Sequence, residues 1–153
     1  MTDEVRVRHL DGDRFAVDVR GHTLLVDQPV EAGGTDTAAR PTELFIAGLA
    51  SCVAFYARRY AARHKFSPDG LAVAVSYELG GRPARVSQIG IVVTPPTELP
   101  AERRDAFLAV ASHCTVQCDA TARNASLRSA GSSVGGVTTI VIWLTRAGRP
   151  PSS

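Results

Sequence analysis

The sequence predicts an α+β fold with mostly antiparallel sheets. Three observations carry that reading. Hydrophobic residues alternate strictly at Leu71, Val73, Val75, Tyr77 and Leu79, the period of a half-buried strand. The uncharged run from Leu44 to Ala57 continues a helical pattern that starts at a proline. Strands come in groups, three before the helix and two after it, instead of alternating with helices one by one.

Taken in order, Val5 and Val7, then Phe15, Val17 and Val19, then Leu24 and Val26 mark three short strands. Asp11-Gly12-Asp13 and Arg20-Gly21 supply the turns between them. Val30 to Arg40, with Gly33-Gly34 inside, reads as a loop. Pro41 suits the first position of a helix, and Glu43 in the first turn opposes the positive end of the dipole. That helix runs to about His64, ahead of the turn residues Ser67-Pro68-Asp69-Gly70. After the alternating strand, Gly80-Gly81-Arg82-Pro83 turns the chain into a second strand with Ile89, Ile91 and Val93, closed by Pro95-Pro96. A second helix starts near Pro100 and carries Phe107, Val110, Ala111 and Cys114 on one face. A Ser/Gly-rich passage follows Asn124, and Val137 to Leu144 forms the last strand. No internal repeat is visible.

The 153 residues read as one domain, 1–146, followed by a disordered tail from Ala147 to Ser153. With 44% hydrophobic and 21% charged residues the chain is an ordinary globular composition. A formal net charge of +2 gives no reason to expect a nucleic-acid or anionic-membrane partner. The start, Met1-Thr2-Asp3-Glu4, is acidic and lacks an apolar signal segment, which predicts a cytoplasmic protein. The apolar run Leu44–Ala57 ends at Arg58-Arg59 and is too short for a bilayer, which needs roughly 20 residues. Three cysteines in such a chain argue against a disulfide scaffold and leave reactive or merely buried thiols.

Cys52 lies in the middle of the first helix and Cys114 at the end of the second. A thiol in one helix with a possible partner on another is an arrangement suited to a peroxide-reactive cysteine and one that resolves it. The alternative is a small buried hydrophobe, a common fate of free cysteine. At about 100° per residue, the face of Cys52 also holds Phe45, Gly48, Leu49, Phe55, Tyr56 and Arg59. The opposite face holds Glu43, Ala47, Ala50, Ala54, Ala57 and Ala61. A helix apolar on both sides is expected to be buried on both sides, and a chain of this size covers such a helix by forming a homodimer. Cys52 stands roughly 16 Å along the axis from Pro41, so the helix dipole, which acts within the first turn, does not lower its pKa. A reactive Cys52 needs a cation, for which Arg14, Arg20 and Arg40 are candidates from the N-terminal part and Arg59 from its own helical face.

Gly33-Gly34, Pro41-Thr42-Glu43-Leu44, Ala47-Gly48-Leu49-Ala50-Ser51-Cys52 and His113-Cys114-Thr115-Val116 together resemble the osmotically inducible protein C and organic hydroperoxide resistance (OsmC/Ohr) family. The resemblance covers roughly Val5 to Leu144. It implies mostly antiparallel sheets around long central helices in an intertwined homodimer, with two sites at the subunit interface. It also implies a thiol peroxidase acting on organic hydroperoxides, with Cys52 peroxidatic and Cys114 resolving. The hydroperoxide resistance members carry a glutamate directly after the proline, where this chain has Thr42. Glu43 comes one place later, about half a turn around the helix from Cys52, which assigns it to dipole compensation or an interface ion pair. The family's catalytic arginine has no single counterpart among Arg14, Arg20 and Arg40. Both features match a generic branch of the family.

The predicted function is therefore reduction of organic hydroperoxides by Cys52 and Cys114, with an external dithiol as reductant and no cofactor. The alternative is a non-enzymatic dimer with inert buried cysteines that binds a small ligand or a partner protein. Cys118, four residues after Cys114, and His113 fit no standard zinc spacing, so no metal is expected and Cys118 reads as a packed or spare thiol. His9, His22 and His64 stand alone, and Gly48-Leu49-Ala50-Ser51 lacks the pattern of a hydrolase nucleophile elbow.

Overall fold

A computed structural model describes residues 4–112, 132–134 and 137–139. It consists of two compact units, Met1–Ile46 and Ala47–Ser153. His113, Cys114 and Cys118, the predicted strand beyond Thr139 and the predicted tail from Ala147 lie outside the described residues.

The first unit is a three-stranded antiparallel meander, β1 (Val5–His9), β2 (Phe15–Val19) and β3 (His22–Val26), in that spatial order. Its register pairs Val7 with Val17 and Val17 with Leu24, so the alternating hydrophobic residues of all three strands share one face. Val5, Val7 and Leu24 on that face are exposed in the single chain. The other face carries a polar ladder. Asp18 accepts a 2.6 Å hydrogen bond from the Thr23 hydroxyl and pairs with Arg8 at 3.2 Å. Those two partners, Thr23 first, hold its carboxyl below the usual value of 3.8.

Arg20 and Gly21 make the two-residue β2–β3 turn, both at positive φ (49° and 81°). That is the signature of a type I′ hairpin, whose twist matches the strands. Arg20 is thus fixed by its backbone as a turn residue. The predicted loop contains a short 3-10 turn at Val30–Ala32.

α1 is continuous from Pro41 to Arg63. That end agrees with the predicted one at about His64, and the last turn is closed by the chain immediately beyond it. Lys65 takes the left-handed conformation (φ 61°), its N–H bonds to the Ala62 carbonyl, and the Phe66 N–H reaches the Ala61 carbonyl at 2.9 Å. This is a Schellman cap made with lysine in the place glycine usually holds. Ile46, Leu49, Val53, Ala57, Tyr60 and Ala61 form one buried stripe at helical spacing. Phe45 and Phe55 are both more than half exposed. The expectation of burial on both sides therefore holds for one side within a single chain.

In the second unit β4 (Ala72–Gly80) and β5 (Arg85–Thr94) form a long antiparallel hairpin, with a register shift between Glu78 and Leu79. Val73, Val75 and Tyr77 face Val93, Ile91 and Ile89 across it. These cross-strand pairs stabilise the hairpin, and the β5 members are buried. Past Pro95-Pro96 a 3-10 turn (Ala101–Arg103) leads into α2 (Arg104–Ala111), whose buried residues are Phe107 and Ala111. Phe107 meets Tyr60 of α1 edge-on at 5.7 Å between ring centres. Two short paired strands, β6 (Ser132–Val134) and β7 (Val137–Thr139), follow, and β7 lies close to β5. β6 falls in the Ser/Gly-rich passage, where three short residues give too weak a hydrophobic alternation to predict a strand. The whole is an α+β protein with antiparallel sheets.

Candidate functional site

Cys52 is borne on the middle of α1, half-buried, and is disulfide-bonded. The chain's other two cysteines, Cys114 and Cys118, both lie outside the described residues. Four and seven residues beyond Cys52, Tyr56 and Arg59 follow it on the same helical face. Phe55 packs edge-on against Tyr56, and the Arg59 guanidinium lies 5.6 Å from the centre of the Phe55 ring. Ser51, next to Cys52, turns its hydroxyl back to the Gly48 carbonyl at 2.9 Å, a bond that occupies its proton.

The three candidate arginines of the N-terminal part all belong to the first unit, while Cys52 belongs to the second. Arg14 pairs with Asp11 at 3.5 Å across the β1–β2 turn. Arg20 is the turn residue described above. Arg40 sits at the start of α1, and Glu43 engages it twice. One Glu43 carboxylate oxygen accepts the Arg40 backbone N–H at 3.1 Å, and the other accepts the Arg40 Nε–H at 3.0 Å. The first bond is the returning half of a capping box, which satisfies an N–H at the head of the helix. Glu43 therefore has a local duty at the helix head. Thr42, which follows the proline, is half-buried.

One residue that sequence reasoning passed over anchors the loop leading into α1. Asp27 is completely buried, at 0% exposure, directly after β3. Its carboxylate accepts five hydrogen bonds, from the backbone N–H groups of Gln28, Thr35 and Thr37 and from the hydroxyls of Thr35 and Thr37. The Thr37 N–H contributes most and the Thr35 hydroxyl next, and together with the other donors they hold the carboxyl far below its usual value despite burial. The Asp27 N–H bonds in turn to the Ala39 carbonyl. Both ends of the loop are thereby tied together immediately before Arg40 and Pro41. Gly33 and Gly34 make this closure possible. Gly33 adopts φ 94°, and a Cβ on Gly34 would collide with the Gln28 carbonyl and crowd the Asp27 carboxylate. The signal in the sequence was an aspartate followed at eight and ten residues by threonines, a spacing too long for a local side-chain turn.

Among the described residues no group of His, Cys, Asp and Glu is placed to hold a metal ion. No described helix is long and apolar enough to cross a membrane.

A fold of antiparallel sheets with a disulfide-bonded cysteine on its long helix defines a class of cysteine-bearing α+β proteins. Residues 34–128 match the family model described as OsmC-like protein, and the chain belongs to that family. The fold is similar to that of a Psychrobacter arcticus osmotic stress induced and detoxification response protein, with 25% identity and a TM-score of 0.69 over 75% of this chain and 85% of that one. It is also similar to the organic hydroperoxide resistance protein OsmC of Legionella pneumophila, with 23% identity and a TM-score of 0.57 over 78% and 88% of the two chains. The organic hydroperoxide resistance protein OhrB of Bacillus subtilis shares the fold at 20% identity and a TM-score of 0.54, over 78% and 90%. No curated protein matches the sequence.

Proposed function

We propose that this protein is a thiol-dependent peroxidase that reduces organic hydroperoxides, with Cys52 as the peroxidatic and Cys114 as the resolving cysteine. The observation that carries the reading is the disulfide at Cys52, in a chain whose family includes organic hydroperoxide resistance proteins. The Cys52 thiolate attacks the distal oxygen of R–O–O–H. The O–O bond breaks, the alkoxide leaves and takes a proton to give the alcohol, and Cys52 becomes a sulfenic acid. The Cys114 thiolate then displaces hydroxide from that sulfur, which leaves as water, and a disulfide forms. An external dithiol reduces it and closes the cycle.

A cation stabilises the attacking thiolate, and Arg14, Arg20 and Arg40 are the candidates for it. In this reading the protein acts as a homodimer in the cytoplasm. The exposed Phe45 and Phe55 on α1 and the exposed apolar face of β1–β3 support the dimer, because a second copy gives them cover.

The deciding experiment treats reduced protein with one equivalent of cumene hydroperoxide and follows thiols by mass spectrometry. Loss of two thiols with a Cys52–Cys114 bridge, and trapping of a Cys52 sulfenic acid by dimedone in Cys114→Ser, are the expected results. A bridge between Cys114 and Cys118, or no consumption of peroxide, would leave the non-enzymatic binding protein as the better reading.

A further inference from the structure

The second half of α1 carries a polar cluster of which only Arg59 is also a candidate cation for Cys52. Tyr56, Arg59, Tyr60, Arg63 and His64 line a cavity of about 310 Å³, closed on one side by Val110 of α2. Three of these side chains offer aromatic ring surface, and Val110 adds an apolar wall. The two guanidiniums stand four residues apart on one helix face, an arrangement that repels when nothing neutralises it. Among the described residues the ion pairs all belong to other arginines. Tyr60 is 6% exposed, and its buried hydroxyl has no hydrogen-bond partner among the described residues. A buried donor left unmade is destabilising, so its retention asks for a reason. Its ring is held in place by His64 at 4.3 Å and Phe107 at 5.7 Å between centres.

We propose that this cavity is a binding site for a small organic oxyanion on a flat apolar body, such as an aromatic carboxylate or phosphate ester. Guanidinium groups form paired hydrogen bonds to such oxyanions, and a neutralised pair no longer repels. The aromatic and valine walls bury the flat body against ring faces, with Tyr60 contributing its ring while its hydroxyl stays sealed from the cavity. The volume is near the lower end for ligand sites, which selects a molecule built on a single ring. The site stands on its own residues and does not rest on the peroxidase reading.

The test titrates isotope-labelled full-length protein with benzoate and phenyl phosphate by NMR, with benzamide and inorganic phosphate as matched probes. The anionic ring compounds should bind with amide shifts confined to α1 beyond Tyr56 and to α2. Whichever binds more tightly identifies the carboxylate or the phosphate as the preferred head group. Benzamide, without the charge, and inorganic phosphate, without the ring, should each bind about tenfold or more weakly. Arg59→Gln and Arg63→Gln should each raise Kd about tenfold, whereas Arg58→Gln, outside the cavity lining, should leave it unchanged. Val110→Trp should fill the cavity and abolish binding, and Cys52→Ser should retain it. Equal binding of benzamide and benzoate, an equal loss in Arg58→Gln, or shifts centred elsewhere would overturn the proposal. The arginine variants decide the matter even if Val110→Trp does not fold, since both guanidiniums lie at exposed or partly exposed helix positions.

Discussion

Two regions of this chain treat buried polar groups in opposite ways. Around Asp27 every demand is met within the loop, where one carboxylate receives five donors and the two threonines that supply four of them sit on the same short segment. Along the second half of α1 the demands are left open, with a buried phenol lacking a partner and two arginines lacking carboxylates among the described residues. The first pattern is how a chain fixes a shape, since a fully satisfied buried network has one low-energy arrangement. The second leaves two neighbouring charges open, which repel each other until an anion neutralises them. Burial and polarity alone do not distinguish structure from function here. Satisfaction does.

The largest expected effect belongs to the chemistry. Cys52→Ser should lower peroxidase turnover by on the order of a thousandfold or more, measured as cumene hydroperoxide consumption with a dithiol, because a hydroxyl cannot replace the thiolate. Compared with the reduced wild type, its melting temperature should change little, since the substitution nearly preserves volume at a half-buried position, whereas the oxidised wild type should melt higher by the contribution of the Cys52 disulfide. A folded Cys52→Ser protein with full turnover would remove Cys52 from the mechanism.

The satisfied region should behave conversely, with large effects on stability. Gly34→Ala forces a methyl group against the Gln28 carbonyl, and Asp27→Ala strands five donors, so each should lower the melting temperature by on the order of 10 °C in calorimetry. The pH dependence has a definite sign. The folded Asp27 carboxyl lies below its usual value of 3.8, so its contribution is complete well above that value and is lost as pH falls toward the folded value. The stability gap between the wild type and Asp27→Asn should therefore be constant from neutral pH to about 5 and shrink below about 4. A gap that widens on acidification would show that the network does not hold the ionised carboxylate.

Smaller effects sharpen the comparison further. Thr35→Val removes one hydroxyl donor from Asp27 and should lower the melting temperature by about 5 °C, with peroxidase activity kept. The smallest effect should come from Glu43→Gln. Glutamine can still accept the Arg40 N–H, so what is lost is the charge at the helix head and the exposed bond from the Arg40 side chain, costing about 0.3–1 kcal/mol in chemical denaturation with activity unchanged. A hundredfold loss of turnover in that variant would return Glu43 to the reaction.

Much of this was legible in the residue order. Alternation at Leu71–Leu79 and the Pro41 start of a long uncharged helix are local signals, and the described strands and helices follow them. Arg20-Gly21 was readable as a turn because Gly21 suits the positive φ that such a turn needs, although Arg20 adopts positive φ as well. Other features could not be read in that way. The end of α1 was readable from the turn residues beyond it, but the left-handed Lys65 that caps it was not, because no glycine marks that position. Asp27 gave no warning either, because four of its five donors come from residues eight and ten places away that only the folded loop brings back.

The sequence by itself determined the class of fold, the helix that bears Cys52 and the family to which the chain belongs, because periodicity and motif spacing are written within a few turns of chain. The tertiary structure alone decided which polar groups are answered. It closed five donors onto Asp27, engaged Glu43 with Arg40, and left Tyr60 with a buried hydroxyl beside a cationic cavity. Whether a polar group is satisfied depends on the distance and direction its partners take once the chain is folded, and residue order alone does not give these.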